Sequence, residues 1–406
     1  MQPESSNETR WVRDSLQASE TPLAVAQDNS VSSGRMVVDE KRSWLSLPWR
    51  IVACVYRIVC LSILLAIAAS IPILQWASLG YLLESASRMA KGRRWREVVP
   101  GLELAGKMGW SAIAILITWL PAWLIAQFAY QAELIEPGSN IAWNWRIAAI
   151  MVGFAWTVHA VWAMIRGGRW RDFLWPAPKR FFREFFQRAT WSRVEDRLWN
   201  LVTGLQIPRL VWLGLRAWVG ALLWLAIPGL MVILGMQANE QPVRAAIGVI
   251  GFFLMWWILL YLPFLQIQFA SENRWRAMFR LSTIRIAFRR APWGFFFALL
   301  VTLVFAIPLY LLRIESPPKE LLWLPCLFFV ILTLPAKLLV GWALNRASRR
   351  DQSRWWLSRY VAWLLQLAIV PFYILFLYLG SLASWDGALI VFLQHAFLTP
   401  VPVLGP

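Results

Sequence analysis

The chain has 406 residues, of which 59% are hydrophobic and only 15% charged; a soluble chain carries roughly a quarter charged residues, so this composition excludes a set of soluble domains with solvated surfaces. The formal net charge of +18 invites a nucleic-acid reading. The basic residues, however, are confined to alternate short segments between apolar runs, which membrane orientation requires and a nucleic-acid patch does not.

Residues 1–43 are polar and lack apolar periodicity, the composition of a disordered tail. The first apolar stretch begins near Ile51, too late for the apolar region of a cleaved signal peptide. Residues 44–400 then read as one transmembrane helical domain and 401–406 as a C-terminal tail, with a re-entrant segment at 387–398 left open. Charge-free runs such as Gly109 to Gln131 and Pro292 to Leu312 have the length of a helical span. They far exceed the roughly 10 residues of a barrel strand. The expected fold class is therefore all-α, a polytopic transmembrane helix bundle.

The stretch Ile51 to Leu83 has basic residues on both flanks, Lys41, Arg42 and Arg50 before it and Arg88 after it. A hairpin breaking at Pro72 puts both flanks on one side, although its return limb of about 15 residues is short for a crossing. A single long tilted helix is the alternative. Arg57, early in the stretch, is placed to snorkel towards the basic side. Seven clear spans follow, at about 109–132, 147–165, 210–236, 245–268, 292–312, 321–344 and 360–382. Loops 84–107, 166–209, 270–291 and 345–359 hold 27 Lys and Arg residues, against Arg146, Arg244, Arg313 and Lys319 in the intervening segments. The positive-inside rule makes the first set cytoplasmic, and the expected location is the cytoplasmic membrane of a bacterium. Many of the 29 tryptophans, Trp110, Trp143, Trp293 and Trp363 among them, fall near span ends, where amphipathic rings favour the headgroup level.

Between 178 and 205, Trp191, Val194, Leu198, Leu201 and Leu205 recur at helical spacing among arginines, after the aromatic run Phe181, Phe182, Phe185 and Phe186. This pattern predicts an amphipathic helix on the inner leaflet. Two repetitions also stand out. The hairpins 210–268 and 292–344 share Ala-Ile-Pro, at 226–228 and 306–308, and Leu-Pro ten residues before Asn-Arg, at 262–263 and 334–335; a parallel duplication accounts for this, as does chance. The second is the triplet Arg94-Trp95-Arg96, Arg169-Trp170-Arg171 and Arg274-Trp275-Arg276, with Arg354-Trp355-Trp356 as a partial fourth. Each pairs an interfacial ring with guanidiniums that reach lipid phosphates, so these nine residues are candidate headgroup contacts. Local enrichment of both residue types beside every span is the plainer explanation.

Ion-coupled transport and intramembrane hydrolysis usually need ionisable groups inside spans. None of the seven clear spans contains Asp or Glu. His159 has no carboxylate or Cys at ligand spacing and reads as a packing residue. Arg216 and Lys337 lie a few turns from basic ends, where snorkelling accounts for them, but Lys337 follows Leu334-Pro335-Ala336 and is kept as the candidate functional intramembrane charge. Cys54, Cys60 and Cys326 lie in apolar stretches without the paired spacing of a disulfide or zinc site. Gly167-Gly168 lacks the Gly-Lys-Ser/Thr ending of a phosphate loop. No cofactor is implied.

The segment Leu79-Gly80-Tyr81-Leu82-Leu83, followed by Arg88, by Gly92 with its basic run and by Pro100-Gly101-Leu102, resembles an uncharacterised prokaryotic family of polytopic membrane proteins known as domain of unknown function 4013. The resemblance covers residues 50–130. It departs from the family at Arg93, Arg94 and Arg96, where acidic residues are usual, and it implies membrane location without implying any chemistry. The leading functional expectation is a non-enzymatic structural or assembly protein whose partners are the lipids of the anionic inner leaflet. The alternative is a transporter or permease for an apolar or amphipathic solute such as lipid. A lipid-directed enzyme using Glu97, Glu103 or Asp172 ranks last, because these acids have no Cys or His partner.

Overall fold

The computed structural model describes residues 39–236, 241–314 and 323–383. The expected tail falls outside them except for residues 39–43, as do segment 387–398 and tail 401–406. Among the described residues there is helix and no strand. In chain order the helices are α1 (Asp39–Ser70), α2 (Leu74–Ala90), α3 (Trp95–Val98), α4 (Leu102–Ile135), α5 (Asn140–Arg166), α6 (Trp170–Leu174) and α7 (Pro178–Glu184). After these come α8 (Arg188–Leu205), α9 (Ile207–Met236), α10 (Pro242–Glu272), α11 (Leu281–Arg290), α12 (Pro292–Ile314), α13 (Trp323–Ser348) and α14 (Trp356–Ala383), with a 3-10 turn at Trp275–Phe279. Eight of the described helical segments are long and apolar enough to cross a membrane. The chain is an all-α, multi-pass membrane protein.

The seven clear spans coincide with α4, α5, α9, α10, α12, α13 and α14. The eighth apolar helical segment, Pro48–Ser70, lies in α1. The chain divides into two units, Met1–Val55 and Tyr56–Pro406. The described part of the first is the opening of α1, and all packing below belongs to the second.

Helix α1 ends at Ser70, and α2 begins at Leu74 after a turn through Pro72. Proline has no N–H for the helical ladder and pushes its predecessor out of the helical region, so the single long helix is overturned. The chain also reverses. Tyr56 and Cys60 of α1 face Gly109 near the start of α4, and Ala66 and Ala69 pack with Cys326 near the start of α13. On the way back, Ala86 of α2 meets Gly341 near the end of α13. The short return limb is a core element, with twelve of its 17 residues buried.

Small side chains make that burial possible. A Cβ on Gly80 would collide with the Leu210 carbonyl, one on Gly214 with the Trp76 carbonyl, and one on Gly341 with the Ala86 carbonyl. Backbones of α2, α9 and α13 therefore approach as closely as small-residue interfaces in membranes allow. Around this centre, one large apolar cluster joins α2, α9, α10, α12, α13 and α14. The α4–α5 hairpin is the opposite case: only 11% of the apolar window in either helix is buried, leaving rings such as Trp119, Phe128 and Phe154 exposed to what in a membrane is lipid.

Two sequence expectations need amendment. The amphipathic stretch 178–205 is not one helix: it breaks between Glu184 and Arg188 into α7 and α8, and the Trp191 indole donates to the Phe185 carbonyl (2.8 Å) across the break. Left-handed residues Ala177 (φ 44°) and Gln206 (φ 49°) separate the pair from its neighbours. The two Asn-Arg markers of the hairpin repeat also differ in structure. Asn273 ends α10 in the left-handed conformation, whereas Asn345 lies inside α13.

Candidate functional site at the basic end of the bundle

Helices α2, α5 and α10 all end where the basic loops lie, and each Arg-Trp-Arg triplet follows one of these ends. The local geometry repeats. A residue with positive φ stops the helix: Gly92 (71°), Gly168 (64°) or Asn273 (54°). Gly and Asn tolerate this conformation. The first arginine of each triplet, Arg94, Arg169 or Arg274, is extended and precedes a short helix that opens on Trp95, Trp170 or Trp275. A side chain from a long helix then donates to carbonyls towards the far end of that short helix, which lack helical partners. Arg88 serves Glu97 (3.2 Å), Arg166 serves Asp172 and Trp175 (2.8 Å to Trp175), and Trp224 serves Met278 (3.2 Å).

The triplets are thus built turns with outward rings: Trp95 is 73% exposed, Trp170 44% and Trp275 36%. Among the described residues, ion pairs at this end join Arg88 and Arg209 to Glu84, Arg183 to Glu184 and Arg280 to Glu272. None uses Arg94, Arg169, Arg171, Arg274 or Arg276. The Arg96 side chain lies outside the described ones. The structure does not gather the triplets into one cluster; each turn packs on its own spans. The partial fourth triplet leads into α14, whose first residue is Trp356, with Trp355 and Trp356 both exposed.

Lys337 corrects its sequence reading. It does not snorkel: the side chain is 1% exposed, and Nζ donates to Oε1 of Gln266 on α10, itself fully buried. Beside it, Thr302 of α12 and Thr333 border a cavity of about 20 Å³. That is room for one water molecule and no solute. Arg216 does reach back towards the basic end, donating to Asn273 Oδ1 and stacking on Trp212 (5.6 Å) and Phe269 (5.4 Å). His159 donates from Nε2 to the Phe173 carbonyl (2.6 Å), a packing role that joins α5 to α6. Among the described residues no three His, Cys, Asp or Glu side chains converge as metal ligands.

Sequence reasoning missed a groove between α10, α11 and α14, which brings Arg285, Arg289 and Arg359 together. Only the amphipathic pattern of 281–290 hinted at it, and the partners are some 25 and 75 residues away in the chain. No family model, curated protein or solved structure matches the chain.

Proposed function

We propose that this chain is a non-enzymatic protein of a bacterial cytoplasmic membrane, with its basic end in the cytoplasm, where it holds anionic lipid in a structural or assembly role. The observation that carries this reading is the repeated turn: a stopped helix, an extended arginine and an exposed tryptophan, three times at one end of the bundle. Indole rings favour the headgroup level, and each cation near an anionic leaflet contributes about 1 kcal/mol. The exposed Phe182, Phe186, Leu198 and Trp199 of α7 and α8, interleaved with arginines, support the same contact. Kinship with the family of unknown function 4013 belongs to this reading. Permeation of an amphipathic solute is the weaker alternative, because the interior around Lys337 is close-packed.

The test is the lipid that co-purifies with the protein in mild detergent, quantified against the whole membrane. Wild type is expected to be enriched in anionic phospholipid. A variant with Arg94, Arg169, Arg171, Arg274 and Arg276 changed to Gln is expected to lose most of that enrichment. Equal enrichment in both, or none in wild type, contradicts the reading.

A further inference from the structure

We propose that the groove between α10, α11 and α14 binds one anionic two-chain phospholipid, its phosphate on Arg285, Arg289 and Arg359 and its ester region beside Gln366. The inference rests on the lipid-binding reading of the basic end and adds a discrete, stoichiometric site to it. The groove has a volume of about 390 Å³. Its three cations come from two elements, and no carboxylate is among the residues that line it. Guanidiniums bind phosphate oxygens in pairs, which lysines cannot do.

The walls are fixed by specific contacts. The Arg354 amide donates to the Arg289 carbonyl (3.0 Å), Arg350 to the Arg290 carbonyl (3.4 Å), and the Trp293 indole to Ser358 Oγ (3.0 Å). Phe295 forms part of the lining, stacked on Phe264 (centroids 4.3 Å apart) and met edge-on by Phe288 (6.0 Å). The Arg285 guanidinium lies over Trp257 (5.6 Å) and Tyr261 (5.8 Å), so α11 holds this cation against the apolar wall of α10.

Gln366 selects a lipid over a free anion. It is 6% exposed, lines the groove, and its Nε2 has no partner within the protein. A buried amide donor without an acceptor is costly. Gln366 lies two helical turns beyond Arg359 on α14, about 10 Å further into the membrane at 1.5 Å per residue. A glycerophospholipid offers acceptors in that order, phosphate first and ester carbonyls below. Between the two polar points the lining is aromatic and aliphatic, with Tyr261, Phe288 and Trp363. Past Gln366 the acyl chains leave the groove and run out into the bilayer.

The experiment is native mass spectrometry of the full-length protein in detergent, titrated with phosphatidylglycerol, with phosphatidylcholine of the same chains, and with glycerol phosphate. Wild type is expected to retain one phosphatidylglycerol at concentrations at least tenfold below those needed for phosphatidylcholine, and no glycerol phosphate. The double variant R285Q/R359Q is expected to weaken that lipid at least tenfold, R285K/R359K to weaken it less, and R146Q at the opposite end to leave it unchanged. Q366L is expected to lower retention of ester-linked phosphatidylglycerol severalfold while leaving the ether-linked analogue untouched. Equal retention of both headgroups, tight binding of glycerol phosphate alone, or full retention by R285Q/R359Q and Q366L would each overturn the site. If the groove variants change nothing while wild type still enriches anionic lipid overall, only this site fails. If wild type shows no anionic preference at all, the lipid-binding reading fails with it.

Discussion

Lys337 and Arg216 lie at similar depths, about 16 and 14 Å from the basic ends of their helices at 1.5 Å per residue, yet the bundle treats them differently. Arg216 extends back to Asn273 at the end of α10 and lays its guanidinium on two rings. Lys337 turns inward, 1% exposed, and donates to Gln266 of α10, beside Thr302 of α12. Depth along a span therefore does not decide what a charge does; the face of the helix it occupies does. The same contrast separates the interior from the basic end as regions. The interior encloses its one fully buried charge, among the described residues, with a neutral amide partner. The basic end leaves five described triplet arginines outside its ion pairs, beside exposed tryptophans. The first arrangement serves packing, and the second is available to an outside ligand.

That contrast implies a graded set of mutational effects. The largest is expected where the interior has no spare volume: Gly214→Leu drives a side chain into the Trp76 carbonyl and should cost about 3 kcal/mol or more, read as loss of monodisperse protein and a large fall in thermal stability. Next comes Gln266→Leu, which removes an acceptor from the buried Lys337 amino group and should cost about 2 to 4 kcal/mol. Lys337→Met keeps the volume and removes the charge, so alone it should change stability by about 1 kcal/mol or less. Added to Gln266→Leu, it should recover most of the loss, and a double-mutant cycle measures that coupling. If the two changes are simply additive, the interior pair is not a unit. At the basic end, replacing the triplet arginines by Gln should shift stability by only about 0.5 kcal/mol per site, while the bound lipid changes in composition. The smallest effect expected is none: in vesicles under a proton or sodium gradient, the protein should add no ion flux, and flux abolished by Lys337→Ala would make the enclosed lysine a coupling site instead.

The spans were legible because the physics that sets them is one-dimensional. A run such as Pro292 to Leu312 is free of charge for as long as the hydrocarbon core is thick, and α12 follows it. Pro72 marked the break between α1 and α2 for an equally local reason. The central place of α2 was half legible: Ala77, Ser78, Gly80, Ser85 and Ala86 are the small residues of a close helix contact, but its length argued for a marginal limb. The triplets could be seen in sequence, whereas the left-handed stops before them and the side chains that pin them could not. The orientation of Lys337 was hidden because α13 is apolar on every side, so no polar face shows which way the lysine turns. The groove was hidden more completely. Arg285 and Gln366 are separated by some 80 residues, and nothing local to either one announces the other.

The central claim is that the end carrying the triplets faces the anionic, cytoplasmic leaflet. It is tested most directly by single-cysteine accessibility in intact cells, after Cys54, Cys60 and Cys326 are replaced by Ala. Cysteines introduced at Arg183 and Arg350 should react with a membrane-impermeant maleimide only after the cells are opened, and those at Glu136 and Gln241 should react in intact cells. Labelling of position 183 or 350 in intact cells, or protection of 136 or 241, would contradict the account.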